Sequence, residues 1–116
     1  MILSLFFYLY ASVAHAVITL SAFDIIGDWS DTPCSQSYVA FKSNGSYEYR
    51  VWNGERYALE TSMYWRIQEG MVVISALPYA APAAVIAVET MLPEGFVGAY
   101  AMADGTTKGL VMLKCK

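Results

Sequence analysis

The chain has 116 residues and a formal charge of −3, and its basic residues (Lys42, Arg50, Arg56, Arg66, Lys108, Lys114, Lys116) are dispersed along it. Neutralising nucleic-acid phosphates or anionic headgroups needs a basic patch, so nucleic acid is excluded as a partner and so is a charge-driven membrane surface. A single histidine, His15, and two cysteines, Cys34 and Cys115, restrict catalytic and metal chemistry before any element is assigned.

The chain opens on an apolar run from Ile2 to Tyr10 that closes on Ala14, His15 and Ala16. Small residues at the last and third-last positions after an apolar core of roughly 7–15 residues form the pattern a signal peptidase cuts, so Met1 to Ala16 reads as a signal helix removed on export. The n-region departs from the pattern, because its only positive charge is the α-amino group of Met1. The competing reading is an uncleaved anchor to about Phe23, since only His15 could carry a charge between Ile2 and Phe23 and about 20 apolar residues span a bilayer. A third reading is a buried N-terminal helix or strand. The first two place residues 24–116 outside the cytoplasm, either in the periplasm or secreted, or else held at a membrane by residues 1–23.

From Asp24 onward turn signals recur at Asn44-Gly45, Asn53-Gly54, Glu69-Gly70, Pro93-Glu94-Gly95 and Asp104-Gly105. Asn-Gly and Asp-Gly suit type I′ hairpin turns. Between the turns lie nine short β-rich runs: Ile25 to Ser30, Ser37 to Lys42, Ser46 to Trp52, Arg56 to Ser62, Tyr64 to Gln68, Met71 to Ala76, Ala84 to Thr90, Phe96 to Met102 and Lys108 to Cys115. Spacing of this kind predicts an antiparallel sandwich or barrel. Alternation puts Val39, Phe41, Tyr47, Tyr49, Val51, Leu59, Trp65 and Ile67 inward. Leu77 to Ala83 contains two prolines and reads as a loop. No linker or repeat interrupts the run, which predicts one small domain.

A domain of this size buries a core with difficulty, and an even cysteine count in an exported chain reads first as a disulfide, here Cys34 with Cys115. On the chain-entropy model a loop of about 80 residues closed in this way stabilises the fold by roughly 4–5 kcal/mol. Two unpaired buried thiols are the alternative.

Gly27-Asp28-Trp29, then Phe41-Lys42-Ser43-Asn44-Gly45-Ser46-Tyr47, then Tyr64-Trp65-Arg66-Ile67 and Val72-Val73-Ile74 resemble, in that order, the small lipocalin-like domains of exported proteins. Val88 to Leu92, Phe96, Tyr100, Asp104-Gly105 and Leu110 to Leu113 look like the closing hairpins of the same group. The resemblance implies an all-β, antiparallel up-and-down barrel over residues 24–116, with Gly27 and Trp29 packing one end. The inward set is rich in Phe41, Tyr47, Tyr49 and Trp65, and a small barrel is only just wide enough to be filled or to hold one small ligand, so a filled interior is expected. A weaker likeness is to periplasmic lysozyme inhibitors, through Thr107-Lys108-Gly109 shortly before a terminal cysteine; the upstream serine-glycine and tyrosine motif of that family is missing.

Removal of His15 with the leader leaves no histidine for a catalytic triad, a Cys-His pair or a histidine-based metal site, so no cofactor, metal or catalytic role is expected. Carboxylates alone could do acid and base work, with Asp28 and Asp31 or Glu89 and Glu94 as the near pairs; strand ends and solvent-facing positions are the simpler reading of both. Glu48, Arg50, Arg56, Glu60 and Arg66 are expected to form cross-strand ion pairs. Asn44 also begins an N-glycosylation sequon, although a hairpin turn needs the same residues. Trp52, Tyr57, Tyr64 and Tyr79 form a candidate binding rim, against the plainer reading that they pack across strands. The expectation is therefore an exported non-enzymatic binding module for a small apolar ligand. The alternative is an inhibitor or immunity factor that binds an extracytoplasmic enzyme.

Overall fold

The computed structural model describes residues 19–115, so the signal and anchor readings of Met1 to Ala16 lie outside the described residues. A one-turn helix, α1 (Ala22–Ile25), precedes eight strands: β1 (Gly27–Ser30), β2 (Ser37–Phe41), β3 (Ser46–Trp52), β4 (Tyr57–Gln68), β5 (Met71–Ser75), β6 (Ala84–Leu92), β7 (Gly95–Met102) and β8 (Thr107–Lys114). Each strand pairs antiparallel with the next, and β8 returns to β1, so the sheet closes as an up-and-down barrel, as expected. No described helix is long and apolar enough to cross a membrane.

Eight strands replace nine runs because Arg56 to Ser62 and Tyr64 to Gln68 are one strand, the 12-residue β4. No glycine or proline separates them, and a bulge lies within the first of the two. Tyr49 pairs with Thr61 but Arg50 pairs with Leu59, which leaves Glu60 as the extra residue. One inserted residue reverses the phase of a strand. Thr61, Met63, Trp65 and Ile67 therefore follow the interior beat, whereas Leu59, expected inward, sits exposed beside Arg50 on the outer face.

The turn chemistry also differs from expectation. A type I′ turn needs positive φ at both central residues. Only Glu69 (φ 54°) and Gly70 (φ 76°), joining β4 to β5, satisfy that condition. At Asn44-Gly45, Asn53-Gly54 and Asp104-Gly105 the glycine alone is left-handed, and the preceding side chain accepts instead. Asn44 Oδ1 takes the Ser46 N–H at 2.9 Å, Asn53 Oδ1 the Glu55 N–H at 2.9 Å, and Asp104 Oδ1 the Thr106 N–H at 2.9 Å. The Asn44 side chain thus has a structural role in its turn.

One end of the barrel is plugged. Ser21 N–H donates to the Asp24 carboxylate at 2.9 Å and closes α1, which brings Leu20 and Ile25 into the core. Trp29 Nε1 donates to Ile25 O at 2.8 Å, and its ring lies 5.2 Å from that of Phe96. Trp65 Nε1 donates to Lys42 O at 2.8 Å, and its ring meets Phe41 edge-on at 5.5 Å. Burying indole rings with their N–H groups bonded avoids the cost of an orphaned donor. Gly27 (φ 140°) leaves room for Lys114, whose Cε would lie 3.1 Å from an added Cβ, and Lys114 Nζ reaches over the Trp29 ring at 5.6 Å. Trp29 is thus buried at this end, with Gly27 two residues before it on β1.

The ring closes on its shortest seam. β1 and β8 pair only at Trp29 with Lys114 and Ser30 with Leu113, and Cys115 N–H adds a bond to Asp28 O at 2.8 Å. Cys34, in the connection from β1 to β2, is disulfide-bonded to Cys115 across 81 residues, so the covalent link sits on the seam itself. The charged residues are arranged more locally than expected. Arg50 meets Glu48 on its own strand at 3.0 Å and Lys42 meets Glu48 at 3.6 Å; Arg56, Glu60 and Arg66 form no ion pair among the described residues.

Replacing both cysteines (Cys34→Ser with Cys115→Ser) should lower unfolding free energy by roughly 4–5 kcal/mol, measured by urea denaturation, because the closed loop of 81 residues no longer restrains the unfolded chain. The protection of β1 and β8 amides from hydrogen exchange should fall first.

Candidate functional site

Alternation fills the lower barrel and leaves the upper barrel open. Phe41, Trp65, Phe96 and Trp29 gather at the plugged end, together with Leu20, Ile25, Val72, Val88 and Met112. Towards the opposite end the inward positions include Val39, Thr61, Ala84 and Leu110, whose side chains are too short to meet across the ring. The result is a cavity of about 400 Å³ that opens at this end. The expected filled interior is thereby corrected. Trp29, Phe41, Trp65 and Phe96 pack at one end, while Tyr47, Tyr49 and Tyr100 line the open part without filling it.

The walls are mainly apolar, with Val39, Met63, Ile74, Ala84, Ile86 and Leu110 among them. Polar groups are few and placed in a band: Ser30, Asp31 and Ser37 on one side of the opening, Tyr47, Tyr49 and Thr61 on β3 and β4, and Tyr100 opposite on β7, with Tyr38, which stands opposite outward Arg50, at the edge. Asp31 is the single charged residue lining the cavity among the described residues. Tyr47 packs edge-on against Phe41 at 5.2 Å, and burial, followed by the neighbouring Tyr49, pushes its phenol from the ordinary 10.0 up to about 12. The Tyr38 phenol is raised in the same direction, first by burial and then by Asp28. Both phenols are hydrogen-bond donors in the neutral form over the physiological range.

The mouth is built by the turns at residues 53–56 and 103–106 and by the connections at 31–36 and 76–83. The last of these is the expected Leu77 to Ala83 loop, and it is strapped at several points. Ala83 N–H donates to Ile74 O at 2.8 Å and Ala103 N–H to Ala83 O at 3.2 Å. Outside the barrel, Arg66 Nη2 donates to Ala80 O at 2.9 Å and Nη1 to the fully buried Ser75 hydroxyl at 3.2 Å. Arg66 is thus a clamp on the loop rather than half of an ion pair.

The candidate rim residues divide. Trp52 and Tyr57 meet edge-on at 5.1 Å, and Tyr38, which the sequence reading overlooked, extends the row to Tyr57 at 5.1 Å. Beneath the row Arg50 Nη1 donates to Tyr57 O at 3.1 Å. Tyr64 lies further down β4 opposite Ser46 and Ser75, and no ring contact joins it to that row. Tyr79, 87% exposed with a φ of 59°, stands above Arg66 at 6.0 Å on the 76–83 loop. The four residues therefore form no single rim.

Of the near carboxylate pairs, only Asp31 reaches the cavity; Asp28 faces outward on β1, and Glu89 and Glu94 are exposed near the plugged end. No cluster of three or more metal-ligating side chains occurs among the described residues. The cavity residues missed in the sequence (Thr61, Met63, Ala84, Tyr100, Met102) were hidden by the bulge in β4 and by alternation across strands whose inward and outward positions are both apolar.

Comparison with known protein families, curated proteins and solved structures finds no match to this chain.

Stability should fall as pH rises from 10 to about 12, because the unfolded chain releases the Tyr47 proton before the folded one does. Below pH 10 that contribution is fully present. Tyr47→Phe should remove about 2 kcal/mol of the loss over that interval, read from urea midpoints of the two proteins at each pH.

Proposed function

We propose that this protein is an exported, non-enzymatic binding module that takes a small, mostly apolar molecule into the open end of its barrel. The observation that carries the reading is the cavity of about 400 Å³ with apolar walls and a narrow band of hydroxyls. Sites for small molecules measure roughly 300–1,000 Å³ and use a few polar groups to orient an otherwise apolar ligand. The phenols of Tyr47, Tyr49 and Tyr100 suit a ligand with one hydrogen-bonding end. The lipocalin-like sequence pattern is consistent with such a role, and the Cys34–Cys115 disulfide accords with an oxidising, extracytoplasmic compartment, periplasmic or secreted.

A second reading rests on a separate observation, the row of half-buried Tyr38 and Tyr57 and exposed Trp52 on the outer face. Aromatic residues beside an arginine are the chemistry of protein-binding hot spots. An inhibitor or immunity factor would use this row and leave the cavity empty.

Native mass spectrometry of protein purified from its host should show a bound small molecule, and an environment-sensitive apolar fluorophore should enter the cavity. Ala84→Trp, which places an indole in the opening, should weaken fluorophore binding by at least ~10-fold, whereas Trp52→Ala on the outer face should leave it unchanged. A clean apo mass together with equal fluorophore binding by both variants would falsify the ligand-binding reading. A co-purifying protein lost on Trp52→Ala would favour the second.

A further inference from the structure

The ring is fully paired at the plugged end and incompletely paired nearer the mouth. β1 and β8 pair at Trp29 with Lys114 and at Ser30 with Leu113, and there the pairing stops. The chain then leaves the sheet: Thr32 N–H donates to the Ser30 hydroxyl at 3.1 Å, and Cys34 is carried back to Cys115. From Met112 up to Thr107, β8 has β7 on one side and no strand on the other among the described residues.

The phase of this free edge follows from the bonds at its ends. Successive residues of a strand direct their backbone groups to opposite neighbours. Lys114 N–H donates to Glu94 O at 2.6 Å, on the β7 side, and Cys115 N–H to Asp28 O at 2.8 Å, on the β1 side; Met102 N–H, on β7, donates to Thr106 O at 2.8 Å. Even-numbered residues of β8 therefore bond to β7, and Thr107, Gly109 and Val111 turn their N–H and C=O groups into an open lane. Among the described residues no hydrogen bond reaches those groups.

Natural sheet edges are blunted by proline, by a bulge or by a covering segment. Here the β7–β8 register is unbroken, no proline occurs from Thr107 to Lys114, and Val111 is 50% exposed. Gly109 pairs with Ala99, and among the described residues nothing lies within 4 Å of a Cβ built on it. A glycine inside a strand marks a place where another backbone can come close.

Two charges give the lane a direction. Asp31, where the chain leaves the lane, lines the cavity opening and forms no ion pair among the described residues. Lys108, which pairs with the cavity-lining Tyr100 and so shares its inward side, stands at the other end. β1 closes the lane below Asp31, so an added strand has to begin or end there. Antiparallel to β8 it begins there and sets a positive amino terminus against the carboxylate; parallel to β8 it ends there and brings two carboxylates together.

We propose that this edge binds the amino-terminal end of a partner polypeptide, added to the sheet as an extended strand antiparallel to β8. Its α-ammonium group meets Asp31, and its first, third and fifth residues exchange main-chain bonds with Val111, Gly109 and Thr107. Its second residue is apolar, beside Leu110 at the cavity opening, and its fourth is acidic, opposite Lys108. This inference concerns the β8 edge and does not depend on a small molecule in the cavity.

The test uses the disulfide-bonded protein and a synthetic peptide, Thr-Leu-Thr-Glu-Thr-Gly, with a free α-amine and a fluorophore at its carboxyl end. Fluorescence anisotropy should show saturable binding that weakens at least ~10-fold when the α-amine is acetylated. In Asp31→Asn, acetylation should make no further difference. N-methylation of the third residue's amide, which removes a bond to Gly109, should weaken binding at least ~10-fold, whereas N-methylation of the fourth, which points away from β8, should leave it unchanged. Peptide addition should slow hydrogen exchange at the Thr107, Gly109 and Val111 amides and leave those of Leu110 and Met112, already bonded to β7, as they were. No saturable binding at millimolar peptide, or equal losses from the two N-methyl groups, overturns the proposal. A protein that is dimeric before peptide is added and monomeric as Val111→Pro also overturns it, and assigns the edge to a second copy.

Discussion

Closure of the ring between β1 and β8 is the constraint on which the other features rest. Open, the sheet would present two unpaired edges and lose the enclosed interior that gives Trp29, Phe41 and Phe96 their burial. Yet the seam has the fewest paired positions of any in the barrel, because β1 is four residues long and gives way to the 31–36 connection after Ser30. Hydrogen bonds over so short a length contribute little net stability in a domain this small. The Cys34–Cys115 bond compensates at that place, joining the connection that leaves β1 to the residue that ends β8. Lys114 adds to the same region by covering Trp29. The disulfide is therefore both a restraint on the unfolded chain and the fastener of the weakest junction.

Closure alone does not decide whether a barrel is a packed core or a container. That outcome follows from how side-chain volume is distributed along the axis. Two tryptophans and two phenylalanines stacked at one end make a rigid floor, with the indole donors bonded to Ile25 O and Lys42 O. Beyond them Val39, Thr61 and Ala84 share the inward positions with Tyr47, Tyr49 and Tyr100, which line the wall without closing it. A floor that is packed and bonded can support an opening above it without collapse, since the cavity walls are backbone-paired strands. The same segregation places the phenols of Tyr47 and Tyr49 between floor and mouth, half sheltered, which is why burial raises the Tyr47 phenol.

The outer surface follows a comparable division. Strands β2 to β4 carry charged and aromatic side chains that tolerate water, and Arg66 uses that side to hold the 76–83 loop through Ser75 and Ala80. On strands β5 to β7 the outward positions at Met71, Val73, Val85, Ala87, Ala99 and Ala101 are apolar, and the polar residues Ser75, Glu89 and Thr90 lie beyond that stretch. Interior cavity, aromatic row and apolar face thus lie on different parts of one small barrel, with Tyr38 common to the cavity's edge and the row.

Local chemistry in the sequence determined the strand positions, the turns and the antiparallel class, because glycine punctuation and β-rich runs act over a few residues. The partnership of Cys34 with Cys115 was legible for another reason: two cysteines allow one pairing. The sequence could not show the bulge at Glu60, because an extra residue leaves no local signature and yet reverses everything beyond it, which is how Leu59 came to face solvent. Nor could it separate Val73, Val85 and Ala87 from the core, since a run such as Met71 to Ile74 is apolar at every position and alternation carries no information there. The open cavity was decided by tertiary structure alone. Composition counts the aromatic rings inside, but only the register of eight strands determines whether they meet at one level or are shared along the axis.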